Sequence, residues 1–124
     1  ERFASDSAYP AGTVVALGGA EEITAASDAL SDDVFGVIST KAAYLMNSSA
    51  GSDETHPAVA VNGRVPVRVI GPVKKGQRLV AAGNGLARAG SRSEVTAFNV
   101  IGRSLQNKLD DGEGVVEAIV KLNS

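Results

Sequence analysis

The chain is 124 residues long, carries no cysteine, and has a formal net charge of −2 with 3 Phe, 2 Tyr and no Trp. This length fits one domain spanning 1–124, and the missing cysteine excludes disulfides, thiolate metal sites and a cysteine nucleophile. Both signs of charge run along the chain with no basic run to attract nucleic acid, and no apolar segment approaches the ~20 residues that span a bilayer.

The core must come mostly from Val, Ile, Leu and Ala, which bury little area each at about 25 cal/mol per Å2. Added stability from partner subunits is therefore expected. No signal-peptide pattern is present. A start at Glu1 rather than Met is what an excerpt, a processed product or mature numbering would give.

In chain order the pattern reads as β nearly throughout. Thr13 to Leu17 is a short strand closed by Gly18-Gly19, and Glu21 to Thr24 suits a second. Ala25 to Asp33 fits either a helical turn or a long polar loop, since Ser27, Asp28, Ser31 and Asp32 favour caps and turns. Val34 to Thr40 is a strand whose Gly36 marks a bulge or a close backbone approach. Ala43 to Met46 suits another strand, and the polar run Asn47 to Pro57 is expected to be an exposed, mobile loop.

Ala58 to Val61 and Arg64 to Ile70 read as a hairpin across Asn62-Gly63, the preferred pair for a type I′ turn. Val65, Val67 and Val69 share one face of the second arm, and Arg64, Pro66 and Arg68 the other. Pro66 removes a ladder donor, which predicts an edge strand or a bulge. Gly71-Pro72 punctuates the middle. Gln77 to Ala82 and Leu86 to Ala89 form a second hairpin around Gly83-Asn84-Gly85. Phe98 to Leu105 and Val115 to Leu122 are the last strands, separated by the charged loop Gln106 to Gly114. Nine or ten short strands and little helix predict an all-β fold, a compact barrel or paired sheets.

The order of glycines and valines is repeated. Pro10 to Val15, Gly18-Gly19 and Val34 to Ile38 are echoed about 65 positions later by Val73 to Val80, Gly83 to Gly85 and Val100 to Arg103. Two pseudo-repeated halves, about 9–71 and 72–122, are expected. The repeated residues are those of turns and strands, so the repeated information concerns shape.

Reactive constellations are sparse. His56 is the single histidine, and without a second one a metal would need Asp53 and Glu54 around it; an exposed loop histidine is the simpler reading. Glu21-Glu22, Asp32-Asp33 and Asp110-Asp111 with Glu113 read as solvated turns, the last resembling a calcium loop only superficially. No serine lies in Gly-x-Ser-x-Gly, and Lys74-Lys75-Gly76 reverses the order of a phosphate loop. Lys41 and Lys74-Lys75 lack the flanks of a biotinyl or lipoyl carrier lysine. Arg64, Arg68, Arg88, Arg92 and Arg103 suit a cationic face, carboxylate pairing between subunits, or ordinary solvation of sheet faces. These residues predict no enzyme, no cofactor and no metal site.

Glu1 to Asp6, Tyr9 to Gly19, Val34 to Thr40 with Ala43 to Asn47, Gly63 to Val69 with Gly71 to Gly76, and Val100 to Leu105 with Val115 to Glu117 occur in an order with a precedent. Together they resemble a module near the C-termini of tailed-bacteriophage structural proteins, particularly fibre and appendage proteins of marine and cyanobacterial phages. The resemblance spans nearly the whole chain. It implies a virion location, a homotrimer, and a fibre shaft or major capsid protein as neighbour.

The module is similar to the self-cleaving intramolecular chaperones of such appendages, which carry an Asp-x-Ala-Glu arrangement near their start. Here only Glu1-Arg2-Phe3 matches the end of that arrangement, and the sequence does not contain its leading Asp. It is also similar to the small β-tulip proteins that decorate phage heads. The reading is a tail-fibre or appendage module, with capsid decoration and the self-cleaving chaperone as alternatives. Arg64, Pro66, Arg68 and Arg103 are the candidate interface, and Asn47, Ser48, Asp53, Glu54 and His56 the candidate outward loop.

Overall fold

The computed structural model describes residues 1–39 and 55–122. Nine strands and no helix occur among them. The expected strand Ala43 to Met46 and most of the polar run from Asn47 lie outside the described residues.

The first four strands are β1 (Val14–Leu17), β2 (Ile23–Ala25), β3 (Val34–Ser39) and β4 (Ala58–Ala60). They form one antiparallel sheet in the order β2-β1-β3-β4. The remaining five are β5 (Asn62–Ile70), β6 (Arg78–Gly83), β7 (Leu86–Ala89), β8 (Val100–Ser104) and β9 (Glu113–Lys121). They close into a barrel, β5-β7-β6-β8-β9. Its longest seam is the antiparallel β5–β9 ladder from Asn62↔Lys121 to Ile70↔Glu113; its closing seam is the parallel pair Val69↔Ala87. The stretch from Ala26 to Asp33 is loop, latched to the barrel by the Leu30 N–H donating to Ala81 O at 2.8 Å.

Strand alternation sets what is buried. Val65, Val67 and Val69 point into the barrel and are 1%, 0% and 0% exposed. Leu79, Ile101, Val116, Ala118 and Val120 join them, and Val14 and Val37 of the sheet pack onto the same cluster. The other side of the sheet buries Val15, Ile23, Ile38 and Val59 beneath Phe3, Tyr9 and Phe35. Phe3 meets Phe35 edge-on with ring centroids 5.1 Å apart.

The expected hairpin at Asn62-Gly63 is not there. β4 pairs with β3, and Asn62 and Gly63 already belong to β5, opposite Lys121 and Val120. A type I′ turn needs positive φ at both central residues; Gly63 has it (φ 100) and Asn62 does not. Nine residue pairs with β9 outweigh one local turn preference. The chain therefore changes sheets at Val61. The second expected hairpin does form: β6 and β7 meet at Asn84-Gly85, with φ 55 and 75.

The two halves of the chain share one strand plan. β2-β1-β3-β4 and β7-β6-β8-β9 have the same order. Val15 pairs with Gly36 and Ala16 with Val34 across a register shift; Leu79 pairs with Gly102 and Val80 with Val100 across another. Gly12, at φ 89, donates its N–H to Ile38 O at 2.8 Å, and Gly76, at φ 91, donates to Ser104 O at 2.7 Å. β5 has no counterpart in this scheme. It is the added stave that lets the second set close into a barrel while the first stays open.

Gly36 and Gly102, each in the third strand of its set, leave no room for a side chain against the next strand. A Cβ on Gly36 would lie 2.3 Å from Val59 Cγ1 and 2.9 Å from Ala60 O. One on Gly102 would lie 2.1 Å from Ile119 O and 2.8 Å from Val120 Cα. The close approach read from Gly36 in the sequence is thus present, and the same device recurs in the barrel.

Candidate interaction surfaces

Three of the sequence-selected interface residues lie on the outside of β5. Arg64 Nε donates to Glu117 Oε1 at 3.1 Å, and Arg68 Nη2 to Glu113 Oε1 at 3.4 Å. Both carboxylates stand on β9 and lie diagonal to their arginines in the ladder, a reach long side chains span. Arg68 Nη1 also donates to Thr13 Oγ1 at 3.2 Å, tying the barrel to the turn before β1. The Arg68 N–H donates to Gly12 O at 2.9 Å, so even-numbered β5 residues present their backbone away from β9. Pro66 belongs to that set, and its missing donor costs the β9 ladder nothing.

Arg103 is on β8, across β9 from these three. Its Nε donates to Gly76 O at 2.9 Å. Arg64, Pro66, Arg68 and Arg103 therefore share the barrel exterior, with β9 between them. The outward side chains of β9 include Val115, 58% exposed, and Ile119, 43% exposed.

The other candidate set is mostly out of view. Asn47, Ser48, Asp53 and Glu54 lie outside the described residues. His56 is half-buried: its backbone carbonyl accepts from Arg2 Nη1 at 2.6 Å, and its Nδ1 lies 3.1 Å from Thr55 Oγ1. Among the described residues no group of three or more His, Cys, Asp or Glu converges on a point.

Two further placements carry local stability. Arg88 and Glu94 form a two-pronged ion pair at 3.0 and 2.8 Å that anchors the loop after β7. The Arg88 hydrogen bonds, helped by the Ser91 N–H, pull the Glu94 carboxyl from 4.5 down to about 2. A carboxyl depressed in the folded state stabilises above its unfolded pKa and loses that contribution as pH falls through its folded one. The urea midpoint of wild type should thus exceed that of Glu94→Gln at neutral pH. The gap should shrink below about 4.5 and close near 2. A gap that stays constant over this range would show that the ion pair contributes nothing.

The other is Lys108, whose side chain is 8% exposed in the charged loop before β9. Its ammonium donates to Gly71 O at 3.0 Å, to Asp110 O at 2.9 Å and to Gly112 O. The loop that superficially resembles a calcium site thus turns its carbonyls onto a lysine of its own chain.

Both charge signs run along the chain, but in different proportions on the two sides of Val61. Residues 1–61, which hold the open sheet, contain nine acidic and two basic residues; residues 62–124, which hold the barrel, contain five acidic and ten basic. The net charges are −7 and +5. A count by halves shows this in the sequence, but the boundary at Val61 gives it physical meaning.

No protein-family model matches the chain, and no curated protein matches it. The fold is similar to a solved structure described as the head fiber gp8.5 N base in bacteriophage phi29, with a TM-score of 0.56 and 13% identity. The match covers 100% of this chain and 97% of that one. At this identity the likeness is one of fold.

Proposed function

We propose that the chain is a structural module of a bacteriophage virion, a fibre or appendage piece that assembles as a homotrimer and acts by shape rather than by catalysis. The observation that carries the reading is the likeness to the phi29 head-fibre base over essentially the full length of both chains. It agrees with the ordered strand and glycine pattern that pointed to phage appendages in the sequence. The exposed Phe98, at 75%, and Val115 supply apolar surface for sister subunits to cover.

A position on the head is the variant that the neighbour's own description favours, and it keeps capsid decoration as the second reading. Light scattering at micromolar concentration should give three times the chain mass; a monomer overturns the trimer. Co-sedimentation with emptied phage heads should retain the module if it sits there, and a module left in the supernatant favours a tail fibre.

A further inference from the structure

The shared strand plan matches the two halves residue by residue and exposes a difference between them. In the first half Val14 pairs with Val37 and Val37 with Ala60, making one cross-strand row. That row is pressed against the barrel: Val14 and Val37 are 0% exposed and Ala60 is partly buried beside them. The equivalent row in the second half is Arg78 with Arg103 and Arg103 with Ile119, and all three are exposed.

Two arginines side by side on neighbouring strands repel each other. No described carboxylate forms an ion pair with either, nor with the nearby Lys75, Arg92 or Lys121. The row forms part of an open recess of about 640 Å3, with apolar walls at Ala97, Val100, Leu105 and Ile119. An apolar patch rimmed by unpaired cations suits a protein surface that offers an apolar side chain among carboxylates.

The chain itself carries such a surface, at the end of its acidic sheet. Leu17, 58% exposed, closes β1. The turn after it carries Glu21, and the Ala16↔Val34 register brings Asp33 alongside from the start of β3. Neither carboxylate has an ion-pair partner among the described residues.

We propose that the Arg78–Arg103–Ile119 face of one copy receives the Leu17–Glu21–Asp33 end of a second copy. The contact joins different surfaces, so rotation can repeat it and close a ring. The same face that the first half buries within the chain is then buried between chains in the second. This proposal rests on the trimer reading above and names its contact.

The test is light scattering of the full chain at low and high salt, with three variants. Arg78→Glu/Arg103→Glu and Glu21→Lys/Asp33→Lys should each weaken association about tenfold or more while leaving the melting curve of the monomer in place. The four-fold swap carrying all these changes in one chain should restore assembly, and high salt should weaken wild type and swap alike. A trimer unaffected by either pair of changes overturns the contact and leaves the trimer standing. A swap that fails to reassemble while both parents are folded also overturns it. A wild-type monomer at low salt overturns both readings, and if that monomer binds a sulfated polysaccharide through Arg78 and Arg103, the face belongs to a glycan.

Discussion

Replacing Gly102 with alanine is expected to cost about 3 kcal/mol or more and to lower Tm by roughly 10 °C. The new Cβ would stand 2.1 Å from Ile119 O, 2.8 Å from Val120 Cα and 2.9 Å from Ile119 C. All three are backbone atoms of β9, so no side-chain rotation relieves the clash. β9 would have to move, and it is held on its other edge by the ladder to β5. Gly36→Ala is the control inside the same molecule. Its closest contact, 2.3 Å, is to a valine methyl that can turn aside, although Ala60 O remains at 2.9 Å. It should cost less, and its β4 partner is a short strand in an open sheet with more freedom to shift. Thermal melts of the two variants settle the order. Equal losses would show that the two close approaches are equally rigid, against the argument that barrel closure fixes β9.

That comparison rests on the matching strand orders β2-β1-β3-β4 and β7-β6-β8-β9, and these show how far the sequence could be read. Gly36 interrupts the apolar run Val34 to Ile38, so a bulge or close approach could be read there without coordinates, whereas Gly102 is followed by Arg103 and Ser104 and gives a weaker signal. The alternation of Val65, Val67 and Val69 with Arg64, Pro66 and Arg68 fixes which face of β5 is inward, because the side-chain period of a strand is two. The destination of β5 could not be read this way. Asn62-Gly63 is a strong local hairpin signal, but local signals compete with pairing energy gathered elsewhere, and here β9 supplies a longer ladder than β4 could. The same dipeptide type at Asn84-Gly85 makes the expected turn because its neighbours in sequence are also its neighbours in the sheet. The local sequence does differ at one place: Asn84 follows Gly83, at φ 99 beside a register shift in the β6–β7 ladder, whereas Asn62 follows Val61.

The candidate surface was legible in part for a related reason. Arg64, Pro66, Arg68 and Arg103 were selected by type and alternation, and they do share the outside of the barrel. The ion pairs of Arg64 and Arg68 with Glu117 and Glu113 need the β5–β9 register, which strand propensity does not give. Arg78 carries no signal of its own in the sequence because its meaning is relative: it stands where the first half has Val14. The β6–β8 register, which glycine spacing alone does not give, sets Arg78 beside Arg103.

Substituting Lys108 is the second large effect, because this lysine is an internal tie rather than a surface charge. Its ammonium serves Gly71 O, Asp110 O and Gly112 O, and its stem lies against Gly114, where an added Cβ would come within 2.7 Å of Lys108 Cε. Lys108→Met keeps most of the stem and removes the donors. Gly112 O would still accept from the Gly71 N–H at 3.1 Å, but Gly71 O and Asp110 O would lose their charged partner. The expected cost is about 2 kcal/mol, in the range for a lost hydrogen bond to a charged group. Lys108→Ala loses stem packing as well and should cost more. Lys108→Arg should not rescue, since a planar guanidinium cannot turn its donors onto carbonyls arranged around a point. Urea unfolding measures the size, and amide exchange at Gly71 and Val73, which hydrogen-bond to Gly112 and Lys108, locates it. Fast exchange confined to these amides with an unchanged urea midpoint would mean that the loop opens on its own. A lowered midpoint would mean that the tie supports the barrel, as expected from Gly71 lying just beyond the end of β5 and Gly112 just before β9.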